Sequence, residues 1–83
     1  MTTRQIVIDI PETVFLSDDI DEATFVQELR VLAAVRLYEQ GRLSSGRAAE
    51  LAAMSRVEFL LNLKKHKVFP LESELLDLEE SLA

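Results

Sequence analysis

The sequence contains no cysteine, which excludes disulfide bonds and thiolate metal sites as means of stabilising the fold. Its 83 residues are enough for one small domain, whose core is marginal because a short chain buries a limited share of its surface. Association with a second copy is the usual remaining source of stability. A cysteine-free chain is compatible with a reducing compartment, and we expect a cytoplasmic protein.

Long apolar runs are also missing. No stretch approaches the roughly 18 consecutive apolar residues that a membrane-spanning helix needs. The first ten residues, MTTRQIVIDI, lack the long apolar core of a signal peptide. We therefore expect neither membrane insertion nor export.

The residue combinations of an enzyme or a metal site are absent as well. The sequence has no nucleophile with a matching base, no glycine-rich phosphate loop, and a single histidine, His66. The acidic run SDDIDE lacks the central glycine and terminal glutamate of a calcium-binding loop, and its acids suit the start of a helix. We expect no catalytic activity, no cofactor and no metal.

Charge is distributed unevenly along the chain. Residues 1–40 carry a balance of −5, residues 41–70 a balance of +4, and residues 71–83 a balance of −5, within a total of −6. Local charge decides where a polyanion can bind, so the basic middle segment is the candidate for contact with nucleic acid.

The N-terminal segment RQIVIDIP alternates Ile6, Ile8 and Ile10 with more polar neighbours, a period of two that predicts a half-buried β-strand ending at Pro11. A strand needs a partner for its backbone hydrogen bonds. The partner is the same strand of a second chain, the short segment KVFPL, or another protein.

A long helix is predicted from the acidic run to about Gln40, with Gly41 as the residue that ends it. From Val31 to Tyr38, seven of eight residues are apolar, and Arg36 is the exception. A helix that is apolar nearly all round is buried all round, and so small a chain could hardly cover it alone. We expect a homodimer seam, with Arg36 either paired with Glu39 or an acid of the second chain, or solvated. The seam residues are Val31, Ala34, Val35 and Tyr38.

The stretch GRLSSGRAAELAAMSRVEFLLNLKKH has the layout of a helix-turn-helix. Ser44 or Ser45 caps the first helix, and Ser55 with Glu58 forms a capping box for the second. Many such motifs have glycine where this chain has Ala53, and an apolar residue where it has Asn62. The predicted DNA contacts are Arg47, Ser55, Arg56, Lys64 and Lys65.

The same layout also occurs as a simple packing unit. Burial of Val57 and Leu61 would favour that alternative, because few side chains would then be left to contact a DNA groove.

An acidic segment, residues 71–83, follows the helical domain of residues 1–70. On a helix it would carry a leucine stripe that either folds back on its own domain or binds a groove on a partner protein. The stripe consists of Leu71, Leu75, Leu78 and Leu82.

The order of these elements resembles the small prokaryotic proteins of uncharacterised protein family 0175, most specifically in LYEQGRLSSGRAAELAAMSRVEFL. The resemblance implies an antitoxin of a type II toxin–antitoxin pair, which binds and silences a toxin such as a PIN-domain-like ribonuclease and represses its own operon. The expected fold is mainly α: a short N-terminal β-strand, a long dimerisation helix, a helix-turn-helix and an acidic C-terminal segment. The alternative function is a structural or adaptor dimer without DNA binding, which recruits a partner protein through that segment.

Overall fold

A computed structural model describes residues 3–68, and all the regular secondary structure in this range is helical. Four α-helices are followed by one turn of 3₁₀ helix at Lys64–His66. The expectation of a mainly α fold is confirmed for this range, whereas residues 71–83, with the predicted leucine stripe, lie outside it. The helices are α1 (Glu12–Asp18), α2 (Glu22–Glu39), α3 (Ser45–Leu51) and α4 (Arg56–Leu63).

The predicted N-terminal strand is wrong for the single chain. Residues 3–10 have no regular secondary structure, and residues 3–68 contain no strand at all. The physical reason is that a ladder needs two strands, and this part of the chain offers no second one. Val7 is consequently 91% exposed and Ile6 82% exposed.

The long helix begins and ends as its capping residues predict. The Asp21 carboxylate accepts a hydrogen bond from the Thr24 backbone N–H at 2.9 Å. Hydrogen bonding by the Thr24 side chain, and then by this backbone N–H, lowers the pKa of Asp21. At the other end Gly41 has a φ of 75°, a left-handed conformation that glycine adopts at little cost. The acidic run was expected to begin one helix. It instead joins two, because Asp19 ends α1 in a left-handed conformation.

The core forms where α2 packs against α3 and α4. Ala34, Ala48 and Ala52 have no exposed surface, so the helix backbones approach each other closely. The rings of Tyr38 and Phe59 meet edge to face, with centroids 5.7 Å apart. The buried apolar residues are Ala34, Val35, Tyr38, Ala48, Ala49, Ala52, Phe59, Leu60 and Leu63.

This core corrects the reason for placing a dimer seam on α2. Ala34, Val35 and Tyr38 are buried within their own chain, and Val31 packs partly buried against the same core. The expectation that one chain could not cover them is wrong, because α3 and α4 fold back onto this part of α2. Arg36 pairs with Glu39 of the same helix, as one of the alternatives predicted. The burial of Ala34, Val35 and Tyr38 therefore gives no evidence for a second copy.

The turn between α3 and α4 depends on a strained alanine. Ala53 has a φ of 58°, and its N–H donates to the carbonyl oxygen of Glu50 at 3.1 Å. An L-residue with a side chain pays about 1–2 kcal/mol in this left-handed region, whereas glycine does not. This cost explains why many helix-turn-helix motifs have glycine at the position of Ala53.

We expect Ala53→Gly to raise the free energy of unfolding by about 1 kcal/mol, because the relief of strain exceeds the added entropy of the unfolded chain. Urea denaturation followed by circular dichroism measures it. Ala52→Gly is the control, since Ala52 has a φ of −79° and no exposed surface. That variant should be destabilised, and stabilisation by both would contradict the strain at Ala53.

Candidate nucleic-acid interface

Side-chain caps define both helices of the candidate helix-turn-helix. The Ser44 hydroxyl accepts from the Arg47 backbone N–H at 3.2 Å, so Ser44 and not Ser45 caps α3. The Ser55 hydroxyl accepts from the Glu58 backbone N–H at 3.1 Å and lies 3.1 Å from the Glu58 carboxylate. The predicted cap of α4 by Ser55 is confirmed, and the Glu58 carboxylate accepts from the Ser55 hydroxyl, whereas in a capping box it would accept from the Ser55 backbone N–H. The two helices of the predicted motif therefore begin where the sequence places them.

Two side chains of α2 bind the end of α3. The Gln27 amide donates to the carbonyl oxygen of Ala52 at 2.8 Å, and Arg30 Nε donates to that of Leu51 at 2.7 Å. The last carbonyls of a helix lack partners within it, and they attract positive charge. Gln27 and Arg30 thus fix the turn against α2. The sequence carries no local signal for these bonds, because each joins residues more than twenty positions apart.

Arg47 stands on the exposed side of α3. Its side chain is 66% exposed and lies 3.4 Å from the carboxylate of Glu50, one turn further along the helix. An exposed pair of this kind is weak, so an anion of higher charge density can replace the carboxylate. Of the predicted contacts, Arg47 is placed well for a phosphate.

Arg56 is turned inward toward α3. It is partly buried, and its Nε donates to the hydroxyl of Ser45 at 2.9 Å. Ser45 itself is buried, so this bond ties the first turn of α4 to the first turn of α3. Arg56 was predicted as a DNA contact, and the geometry gives it a structural role between the helices. Ser45 was not predicted for this role.

The outward side of α4 is chemically mixed. Leu61 is 54% exposed and Val57 is partly buried, so the burial that would favour a packing unit is not complete. Glu58, Leu61 and Lys65 are exposed and follow one another at helical spacing. Lys64 and Lys65 lie in the 3₁₀ turn, roughly 12 Å along the axis from the start of α4. The five predicted contacts therefore do not form one cluster.

The side-chain amide of Asn62, at a position that is apolar in many such motifs, is hydrogen-bonded. The side-chain nitrogen donates to the carbonyl oxygen of Glu58 at 2.9 Å and lies 3.8 Å from the sulfur of Met54. An amide at this partly buried site is thus compatible with the packing of the two helices.

A family model described as "Uncharacterised protein family (UPF0175)" matches residues 1–83. The chain belongs to this family. A UPF0175 protein of Archaeoglobus fulgidus is 38% identical over 61 residues, which cover 74% of this chain and 69% of that protein. A UPF0175 protein of Aeropyrum pernix is 34% identical over 80 residues, which cover 96% and 84% of the two chains. No solved structure matches the chain.

Neither a membrane-spanning helix nor a metal-binding group is found in the described part of this UPF0175 chain. Within residues 3–68, no helix is long and apolar enough to cross a membrane. The same residues hold no group of three or more histidine or acidic side chains that could bind a metal ion.

We expect Arg30→Met to lower the free energy of unfolding by about 1–2 kcal/mol, because the Leu51 carbonyl loses a charged hydrogen-bond donor. The methionine keeps much of the apolar stem, so the loss reports on the polar head. Arg36→Met is the control, since Arg36 is exposed and pairs only on the surface of its own helix. Equal stability of the two variants would show that Arg30 does not hold the turn.

Proposed function

We propose that this chain is an antitoxin-like protein that contacts operator DNA through α3 and α4 and binds a toxin protein elsewhere on its surface. The observation that carries the DNA half is the geometry of the turn. Two short capped helices meet at a left-handed residue, Ala53. The α2 side chains Gln27 and Arg30 bind the end of the first helix, and Arg56 of the second helix bonds to Ser45 of the first. A rigid pair of this kind can present a helix to the major groove.

Phosphate contact accounts for most of the affinity in this proposal. Arg47 is exposed at the start of α3, Ser55 at the start of α4, and Lys64 and Lys65 follow the end of α4. Cationic side chains and hydroxyl groups that face phosphates fix a protein on the duplex without specifying its sequence. The exposed Leu61 adds an apolar group that can contact a thymine methyl.

A second candidate function is an adaptor without DNA binding. Glu50 lies beside Arg47, and Glu58 beside Ser55, so each predicted phosphate contact near a helix start has a carboxylate next to it. Such acids repel phosphate unless the basic groups outweigh them. In this case α3 and α4 serve packing, and the function rests on protein partners.

Arg47→Ala should weaken binding to a duplex from immediately upstream of the gene and reduce the slope of log K against log salt by about 1. Fluorescence anisotropy at several salt concentrations measures both. Arg36→Ala is a matched control, because Arg36 is 70% exposed and pairs with Glu39 at the same spacing of three residues. Equal loss of affinity in both variants would show that the net charge of the protein, and not a specific contact by Arg47, determines binding to the duplex. No binding by the folded wild type at low salt would favour the adaptor.

Toxin binding through Leu71, Leu75, Leu78 and Leu82 stays a prediction from the sequence, since these residues lie outside the described range. A Leu75→Asp, Leu78→Asp double variant should lose co-purification with a co-expressed PIN-domain-like toxin, because aspartate cannot enter an apolar groove. Its helical circular dichroism should match the wild type. Undiminished co-purification would exclude the leucine stripe as the toxin contact.

A further inference from the structure

The first part of the chain carries an open apolar surface that its own core does not cover. It surrounds a hollow of about 540 Å³, and Glu22 is the one charged residue in its lining. The rings of Phe15 and Phe25 meet edge to face there, with centroids 5.0 Å apart, and so join α1 to α2. We call this the N-terminal apolar surface, and its apolar members are Ile6, Val7, Ile8, Ile10, Phe15, Phe25, Val26 and Leu29.

The exposure of these side chains is unusual for a monomer. Ile8 is 58% exposed and Val26 54% exposed, in addition to Ile6 and Val7. Monomeric proteins rarely expose contiguous apolar patches larger than a few hundred Å², and larger patches mark interaction sites. The surface is therefore a candidate site for interaction with another chain.

The backbone of residues 4–10 restricts what the occupant of this surface is. The alternation of Ile6, Ile8 and Ile10 is a strand pattern, yet no backbone hydrogen bond joins residues 3–10 to other residues of the described range. Unpaired backbone groups of this kind are a template for another strand. The occupant must supply a strand as well as apolar side chains.

The segment is complementary in charge to itself when two copies run antiparallel. Arg4 stands at its start, whereas Asp9 and Glu12 stand at its end. Antiparallel pairing centred on Val7 places Arg4 of each copy opposite the partner's Ile10, next along the chain to the partner's Asp9, so that unlike charges lie near each other without a direct pair. Parallel pairing would place like charges side by side, which destabilises a ribbon.

We propose that the N-terminal apolar surface is a homodimer interface, in which residues 4–10 of two copies pair as an antiparallel two-stranded ribbon. Pairing centred on Val7 places Ile6 opposite the partner's Ile8 and Gln5 opposite the partner's Asp9. This register pairs every residue from 4 to 10 and stops before Pro11, which has no N–H to donate. It also puts the isoleucines of both copies on one face of the ribbon.

The ribbon needs the helices beneath it. A two-stranded ribbon is marginally stable alone in water, so its isoleucine face must pack on an apolar surface. Phe25, Val26 and Leu29 of α2 supply that surface in each copy. The interface is independent of the DNA-binding proposal, since it uses neither α3 nor α4.

Sedimentation equilibrium of the full-length protein tests the assembly. The wild type should have the mass of a dimer at micromolar concentration, and Ile8→Asp should have that of a monomer. Leu61→Asp is the matched control, because Leu61 is 54% exposed on α4, compared with 58% for Ile8. It should remain dimeric. A monomeric wild type, or a dimeric Ile8→Asp variant, would overturn the proposal.

A cross-linking experiment keeps the test independent of variant folding. The chain has no cysteine, so Val7→Cys introduces a single thiol that faces its own copy across the proposed two-fold axis. Opposed Cβ atoms in such pairs lie about 4.5–5.5 Å apart, close to disulfide distance. Mild oxidation should convert this variant to a covalent dimer, while Leu61→Cys stays largely monomeric on a non-reducing gel. Equal cross-linking by both, or none by Val7→Cys, would refute the ribbon.

Discussion

The contact between α2 and the α3–α4 pair is the interaction on which the rest of the described structure depends. Ala34, Ala48 and Ala52 are completely buried at this contact, and Tyr38 packs edge to face on Phe59 beside them. Helices of seven or eight residues are not stable alone in water. α3 and α4 have these lengths, so they exist because α2 gives their apolar sides a surface to cover.

Polar bonds then determine how the packed helices are oriented. Arg30 and Gln27 satisfy the free carbonyls at the end of α3, and Arg56 joins the starts of α3 and α4 through Ser45. A hydrogen bond restricts direction, whereas apolar burial does not. The two arginines therefore help to set the angle of the turn, and an arginine that holds the motif together is less available to a ligand.

α2 also connects the two surfaces to which we assign functions. Its first half bears the exposed Val26 and Leu29 beside the partly buried Phe25, and its second half bears the buried residues Ala34, Val35 and Tyr38. An 18-residue helix is about 27 Å long and rigid. If two copies associate through the first half, the helix fixes the spacing of the two α3–α4 units. Spacing of this kind determines which pair of DNA half-sites a dimer can reach.

Local signals in the sequence were sufficient for the helices of the core. The caps at Asp21, Ser44 and Ser55 and the glycine at position 41 each act within a few residues, so the sequence alone was enough to predict α2, α3 and α4 and the end of α2. It left the cap of α3 open between Ser44 and Ser45 and did not predict α1. The family resemblance, which the comparisons bear out, rested on the same continuous stretch.

Contacts between residues distant in the sequence could not be predicted in this way. The apolar run from Val31 to Tyr38 predicts burial on all sides, which is wrong for Leu32, since that side chain is 54% exposed. For the residues that are buried, the run does not distinguish a second chain from the chain's own α3 and α4. The strand pattern of residues 4–10 likewise predicts pairing with a second strand, and residues 3–68 contain no such strand. Tertiary structure decided that Arg56 turns inward and Arg47 outward, because burial depends on how the helices cross and not on residue type.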